Sequence, residues 1–334
     1  MKQLAVILGL SGPKLTAAER VFFRDANPWA FILFARNVDT PDQLRALTAD
    51  LRAAVGWHAP VLIDQEGGRV QRLRAPHWRE WPAPLDQAAL AGANAPRSFW
   101  VRARIMADEL RAVGIDVNCA PTCDLASDAT HPFLRNRCLG STVDQVVANA
   151  RATADGLLAG GVLPVIKHIP GHGRAVADSH KNLPEVGADL HDLRRTDFAP
   201  FAALADLPLG MTAHIRFSAL DRAPATQSAR LIGLIRDEIG FDGLLMSDDI
   251  GMEALSGGPG TRTRAALAAG CDLVLHCNGE MGAMEEVALA APALSAQAQR
   301  RAEAALDRRL PPDAVDIAAL DAEFEALMSG GGHG

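Results

Sequence analysis

Eight short apolar runs recur along the chain between longer stretches of helical period: "LAVILGL" (4–10), "WAFILFA" (29–35), "PVLIDQE" (60–66), "IDVNCAP" (115–121), "LPVIKH" (163–168), "LGMTAHI" (209–215), "GLLMSDD" (243–249) and "DLVLHCN" (272–278). Within each run the hydrophobicity is nearly continuous. A strand with one face in water would alternate, so these runs predict strands covered on both faces, as in a parallel sheet wrapped by helices. Four of them are entered by the same device, helix then glycine then strand, in "ELRAVGIDVNCAP", "GLLAGGVLPVIKH", "RDEIGFDGLLMSDD" and "AALAAGCDLVLHCN". Glycine just past a helix end accepts the left-handed conformation that turns the chain back toward the sheet.

Eight strands alternating with helices, with no linker-like stretch, predict an α/β chain folded as one (β/α)8 TIM-type barrel domain over residues 1–334. An open doubly wound sheet is the competing fold. No G-x-G-x-x-G or G-x-x-x-x-G-K-[ST] follows any strand, which argues against a nucleotide site. Beyond about residue 280 the sequence turns alanine-rich, "EEVALAAPALSAQAQRRAEAALDRRL" then "AALDAEFEALM", and predicts extra C-terminal helices on the barrel's outside. The tail "SGGGHG" (329–334) reads as flexible.

Composition narrows the function classes. With 49% hydrophobic and 22% charged residues the chain can bury a large core. A net charge of -7 supplies no clustered positive footprint for nucleic acid or an anionic membrane. The arginines of "VRARIMADELR" alternate with acids and fit a solvated helix face. Five cysteines, odd in number and without C-x-x-C spacing, read as buried free thiols in a reducing cytoplasm. The N-terminal "MKQLAVILGL" lacks an A-x-A cleavage site and reads as a first strand followed by a turn and helix start. No apolar run approaches the roughly 18 residues needed to cross a bilayer.

In such a barrel, polar groups at the C-terminal ends of strands meet the substrate. Strand three ends in "DQEGGRVQR", strand five runs into "KHIPGHGRAVADSH", strand six ends "AHIR" and strand seven "SDD". From "SDD", Asp248 is the candidate nucleophile, because an ionised carboxylate can attack an acetal carbon. Asp249 suits a helix cap before "IGMEAL". Asp178 and His180 pair a carboxylate with an imidazole, an arrangement that suits a general acid and base. Asp64, Arg69 and Arg72 offer a carboxylate and guanidiniums for sugar hydroxyls, or an ion-pair network within the barrel. Arg137, in the loop after strand four, fits a loop-fixing salt bridge equally well. A metal held by His168, His172, His180 and Asp248 competes for the same loop. However, Pro170 and Gly171 break the helix that would align H-x-x-x-H, and strand one carries no histidine.

Taken together, "DQEGGRVQRL", "KHIPGHGRAVADSH" and "LLMSDD" resemble the bacterial β-N-acetylhexosaminidases of glycoside hydrolase family 3, the single-domain cytoplasmic kind of peptidoglycan recycling. The resemblance spans roughly residues 4 to 280 and leaves the last fifty or so residues uncovered. It implies a barrel enzyme with retaining chemistry and no metal or organic cofactor. It also implies Asp248 as nucleophile, His180 as acid/base oriented by Asp178, and Asp64, Arg72, Arg137, Lys167 and His168 as sugar-binding positions. The implied substrate is a muropeptide fragment, N-acetylglucosamine on 1,6-anhydro-N-acetylmuramic acid with or without peptide. A cytoplasmic monomer is expected, with neither nucleic acid nor membrane as partner. "KHIPGHG" carries Ile169 where relatives often have Phe. A β-N-acetylglucosaminide phosphorylase and a catalytically inactive sugar-binding protein are the alternative functions.

Overall fold

The computed structural model describes residues 2–176 and 182–329. Eight parallel strands close into a barrel: β1 (Leu4–Leu8), β2 (Pro28–Leu33), β3 (Val61–Ile63), β4 (Val117–Asn118), β5 (Leu163–Ile169), β6 (Leu209–Thr212), β7 (Leu244–Asp249) and β8 (Leu273–His276). Each strand pairs in parallel with its sequence neighbours, and β8 closes on β1 through Val6–Val274 and Leu8–His276. All eight apolar runs are barrel strands.

The continuous hydrophobicity has the expected cause. Along β1, Ala5 and Ile7 join Leu62, Val117, Val165 and Met246 inside the barrel, while Val6 and Leu8 join the layer between strands and helices. Both faces of the strand are dry, so neither can be polar. Helix α1 (Ala17–Ala26) starts at Thr16, which forms a capping box with Glu19. Helix α2 (Pro41–Val55) starts at Thr40 with Pro41 in its first turn. After β3 come α3 (Pro84–Ala91) and α4 (Ala95–Ala112), and after β4 the short α5 (Pro132–Arg135) and α6 (Val143–Ala159). The re-entry glycines do what the sequence pattern asks: Gly161 and Gly270, with φ of 72° and 113°, turn the chain back toward β5 and β8, and Gly114 and Gly240 share the device.

Beyond β5 come α7 (Leu190–Arg195) and α8 (Ala199–Ala203), then α9 (Ala229–Asp237) and α10 (Pro259–Ala269) around β7, and α11 (Met281–Ala290), α12 (Ala296–Asp307) and α13 (Ile317–Ser329) after β8. The C-terminal helices part company, which corrects the expectation that all lie on the outer wall. Helix α12 plugs the N-terminal end of the barrel. Ala298, Ala302 and Ala305, on one helical face, and Leu294 just before the helix pack against the interior cluster. Helix α13 does lie outside, over α3 and α4, where Phe324 meets Trp81 edge to face with ring centroids 5.3 Å apart. With the floor sealed, the opening lies at the C-terminal mouth.

Candidate active site

Three of the strands that end in polar residues deliver them to one cleft of about 340 Å³. Asp64, Arg72, Arg137, Lys167, His168 and Asp248, all singled out from the sequence, line it. Asp178 and His180 lie outside the described residues.

The β3 end builds the first group. Past Ile63 the chain makes an antiparallel hairpin, Gln65–Gly67 with Val70–Gln71, tied down by the Gln65 side chain, whose carbonyl accepts from Arg72 N at 2.9 Å and Leu73 N at 3.1 Å. Gly67, at φ 102°, is required. A Cβ there would lie 1.9 Å from the Arg102 guanidinium, which donates to the Glu66 carbonyl. The hairpin thus projects Asp64 and Glu66 toward β5.

At the end of β5 the register against β6 shifts between Lys167 and Ile169, and Lys167 and His168, 2% and 6% exposed, both enter the mouth. Lys167 Nζ lies 2.8 Å from Asp64 Oδ1 and 2.6 Å from Glu66 Oε1. Arg72 donates to Asp64 Oδ2 at 3.0 Å, and Arg137 grips Glu66 with two bonds of 2.8 Å. This ring holds three cations against two carboxylates. Burial alone would raise the Asp64 carboxyl, but Lys167 and Arg72 hold it well below the usual range. Burial would likewise raise Glu66, yet Arg137 and Lys167 bring it down to about 2. Burial favours a neutral Lys167, and the two carboxylates overcome it and raise its pKa, so the ammonium persists.

Behind His168 stands Asp124, which is fully buried. Its Oδ2 lies 2.7 Å from His168 Nδ1, and its Oδ1 accepts from the His172 backbone N–H at 2.6 Å. Burial would raise the Asp124 carboxyl, but His168 and His172 hold it below its ordinary value. The His168 and His172 rings meet edge to face, centroids 5.5 Å apart. Burial, then the neighbouring His168, push the His172 imidazole down to about 4, so it is neutral at physiological pH.

At the end of β7 the register against β8 shifts between Met246 and Asp249. Asp248 is left in the cleft, and Asp249 turns toward β8, where its Oδ1 accepts from Gly251 N at 2.9 Å and Cys277 N at 3.1 Å. Asp249 therefore has a structural role. It fixes a turn rather than capping a helix, because "IGMEAL" forms turns and the next helix begins at Pro259. Asp248 Oδ1 accepts from the Asp249 N–H at 2.8 Å, and its other oxygen accepts no hydrogen bond from any described residue. Burial would raise its pKa, but His214, His168, the Asp249 N–H and Lys167 hold it below the ordinary value. Burial drives the pKa of His214 itself down. Asp248 is an ionised carboxylate with a free lone pair facing the cleft.

His214 was visible in the sequence as a polar strand end, with no role assigned. Its Nε2 lies 2.9 Å from the Asp249 carbonyl oxygen, and its Nδ1 lies 2.8 Å from the hydroxyl of Thr226, which donates to the Ala213 carbonyl at 3.0 Å and lies 2.8 Å from that of Thr212. This relay steadies the peptide next to Asp248. Glu66 and Asp124 were missed as well. Glu66 is two residues from Asp64 and so on the same side of an extended segment, and Asp124 follows the β4 run, so the rule that found Asp248 would have found both.

The five cysteines are buried free thiols, as expected. Among the described residues, the one grouping of possible metal ligands is Asp189, His191 and Asp192, which is exposed and outside the cleft.

Comparison with known proteins agrees with this geometry. Residues 1–309 match the family described as glycosyl hydrolase family 3 N terminal domain. A β-hexosaminidase of Methylococcus capsulatus is 40% identical over 277 residues, covering 80% of this chain and 81% of that protein. One from Pseudomonas aeruginosa is 39% identical over 293 residues, 86% of each. NagZ from Neisseria gonorrhoeae in complex with N-trifluoroacetyl-D-glucosamine superposes with a TM-score of 0.84 at 29% identity, over 99% of this chain and 98% of that one. The chain belongs to glycosyl hydrolase family 3 and is a glycoside hydrolase.

Proposed function

We propose that the chain is a retaining exo-β-N-acetylglucosaminidase. It would remove terminal β-linked N-acetylglucosamine from muropeptide fragments, N-acetylglucosamine on 1,6-anhydro-N-acetylmuramic acid with or without peptide, during cytoplasmic cell-wall recycling. The observation that carries the reading is the ionised, open-sided Asp248 at one side of a cleft whose other side is the Asp64–Lys167–Glu66–Arg137 ring. Adjacent carboxylate and ammonium groups suit vicinal hydroxyls, and an anionic nucleophile suits an anomeric carbon that gains positive character in the transition state. The amino sugar in the cited Neisseria gonorrhoeae complex supports the choice of sugar. Arg36 over Phe34 at 5.0 Å and Arg69 over Phe133 at 4.0 Å put guanidiniums near the cleft rim, in keeping with an aglycone that carries carboxylates.

Asp248 Oδ2 attacks the anomeric carbon. The bond from that carbon to the leaving oxygen breaks as His180, oriented by Asp178, gives that oxygen its proton. His180 then takes a proton from water, whose oxygen displaces Asp248 with net retention. Metal chemistry has no assigned part in these steps.

The test is turnover of an aryl β-N-acetylglucosaminide with chelator present, followed by a 2-fluoro or 5-fluoro sugar trap and peptide mass spectrometry. A label on the peptide containing Asp248 is expected. No turnover and no label would overturn the reading, and sugar 1-phosphate formed on adding phosphate would replace hydrolysis by phosphorolysis.

A further inference from the structure

We propose that His172 is a further substrate-binding residue, an imidazole that hydrogen-bonds a hydroxyl or the acetamido group of the sugar held beside His168. The inference rests on the cleft being a sugar site.

Its placement is built. One buried carboxylate, Asp124, fixes two residues at once: His168 through its ring at 2.7 Å and His172 through its main chain at 2.6 Å. The His172 ring is 5% exposed, borders the cleft and packs edge to face on His168. The polar side chains around it have partners. Lys167 and Arg137 are held by Asp64 and Glu66, and His168 by Asp124. The His172 ring alone among these has none: Nδ1 is buried without a partner, and neither nitrogen bonds any described residue.

A buried polar atom left unpaired costs roughly 1–3 kcal/mol. Phenylalanine would make the same edge-to-face contact without that cost. An imidazole that packs like an apolar ring, and whose nitrogens nothing in the described chain satisfies, finds its hydrogen-bond partner in whatever fills the cleft it borders. A site built to hydrogen-bond a substrate group discriminates strongly against analogues lacking that group.

The experiment measures turnover of aryl β-N-acetylglucosaminides and calorimetric binding of N-acetylglucosamine for the wild type, His172→Phe and His172→Asn, then repeats turnover with 3-, 4- and 6-deoxy and 2-deoxy donors. His172→Phe should raise KM and Kd about tenfold with kcat within about threefold, the worth of one good hydrogen bond. His172→Asn should recover part of the loss. The Phe penalty should vanish on the one donor lacking the bonded group. An unchanged KM and Kd, or an equal loss on every donor, would overturn the inference while leaving the hydrolase reading intact. Binding weakened by His172→Phe in a wild type that never turns over would keep the inference and overturn the hydrolase. A wild type that neither binds nor hydrolyses would overturn both.

Discussion

The two ends of the barrel both carry buried carboxylates at strand termini beside arginines, yet they are wired differently. At the floor, Asp116 Oδ1 accepts from Val61 N at 2.8 Å, and its Oδ2 pairs with Arg52 at 3.1 Å and with Arg309. Asp272 is treated alike: Oδ2 accepts from Leu245 N at 3.0 Å and Arg236 at 2.6 Å, and Oδ1 from Arg301 at 3.0 Å. Every oxygen there is spoken for, and the partners come from separate segments, including α12 and the residues just after it. These acids staple the plug to the strands. At the mouth, among the described residues, Asp248 has one peptide donor and one oxygen without a donor. A saturated carboxylate is an architectural part, and an unsaturated one facing a cleft is a reagent.

The sharpest way to break this comparison is to neutralise one acid at each end. Asp248→Asn should lower kcat by about 10⁴-fold or more, since the variant lacks the attacking oxygen charge, while the melting temperature stays near the wild type. Asp116→Asn should do the reverse. It leaves Arg52 and Arg309 facing a neutral amide and costs about 3 kcal/mol in urea unfolding, with kcat within about twofold. A catalytically dead Asp116→Asn, or a fully active Asp248→Asn, would show that saturation does not separate the two roles.

Lys167 sits between the extremes, because it both closes the ring and faces the sugar. Lys167→Met leaves Asp64 and Glu66 side by side without their shared cation, so both stability and turnover should suffer. Losses of about 10²-fold in kcat/KM and about 3 kcal/mol in stability are expected. Loss of stability alone would move Lys167 to the floor's class.

What the sequence let us read follows the same division. The strands were legible because continuous apolar runs record burial on both faces, and the re-entry glycines because few other residues accept positive φ. Asp64, Lys167 and Asp248 were legible as polar residues at the ends of apolar strands. Glu66 and Asp124 were legible only as strand-end acids, and what they do was not, because it lies in whom they hold, Arg137 and His168, which are 71 and 44 residues away. The plug was hidden for a related reason. The alanine stripe of α12 would suit an outer wall as well as a floor, and the ion pairs that choose the floor, Arg301 with Asp272 and Arg309 with Asp116, join distant segments. Asp249 shows the opposite failure, where local cap chemistry was correct in kind and the tertiary contact to Cys277 decided its form.

The finest distinction between the two ends is in titration. Glu66 has its pKa lowered from 4.5 to about 2 by Arg137 and Lys167, against the effect of burial. A group whose folded pKa is depressed contributes stability that is present above the unfolded value and is lost as pH falls through the folded one. The wild type should therefore lose stability between about pH 4.5 and pH 2, and Glu66's share should be on the order of 2 kcal/mol after allowing for its coupling to Lys167. Glu66→Gln cannot contribute to that slope, so its urea stability should fall less steeply over the same window, even though it starts lower at pH 7. Superimposable slopes for the two proteins would mean that Glu66 carries its charge at no advantage in the folded state, and that the mouth ring is held for binding sugar rather than for holding the barrel shut.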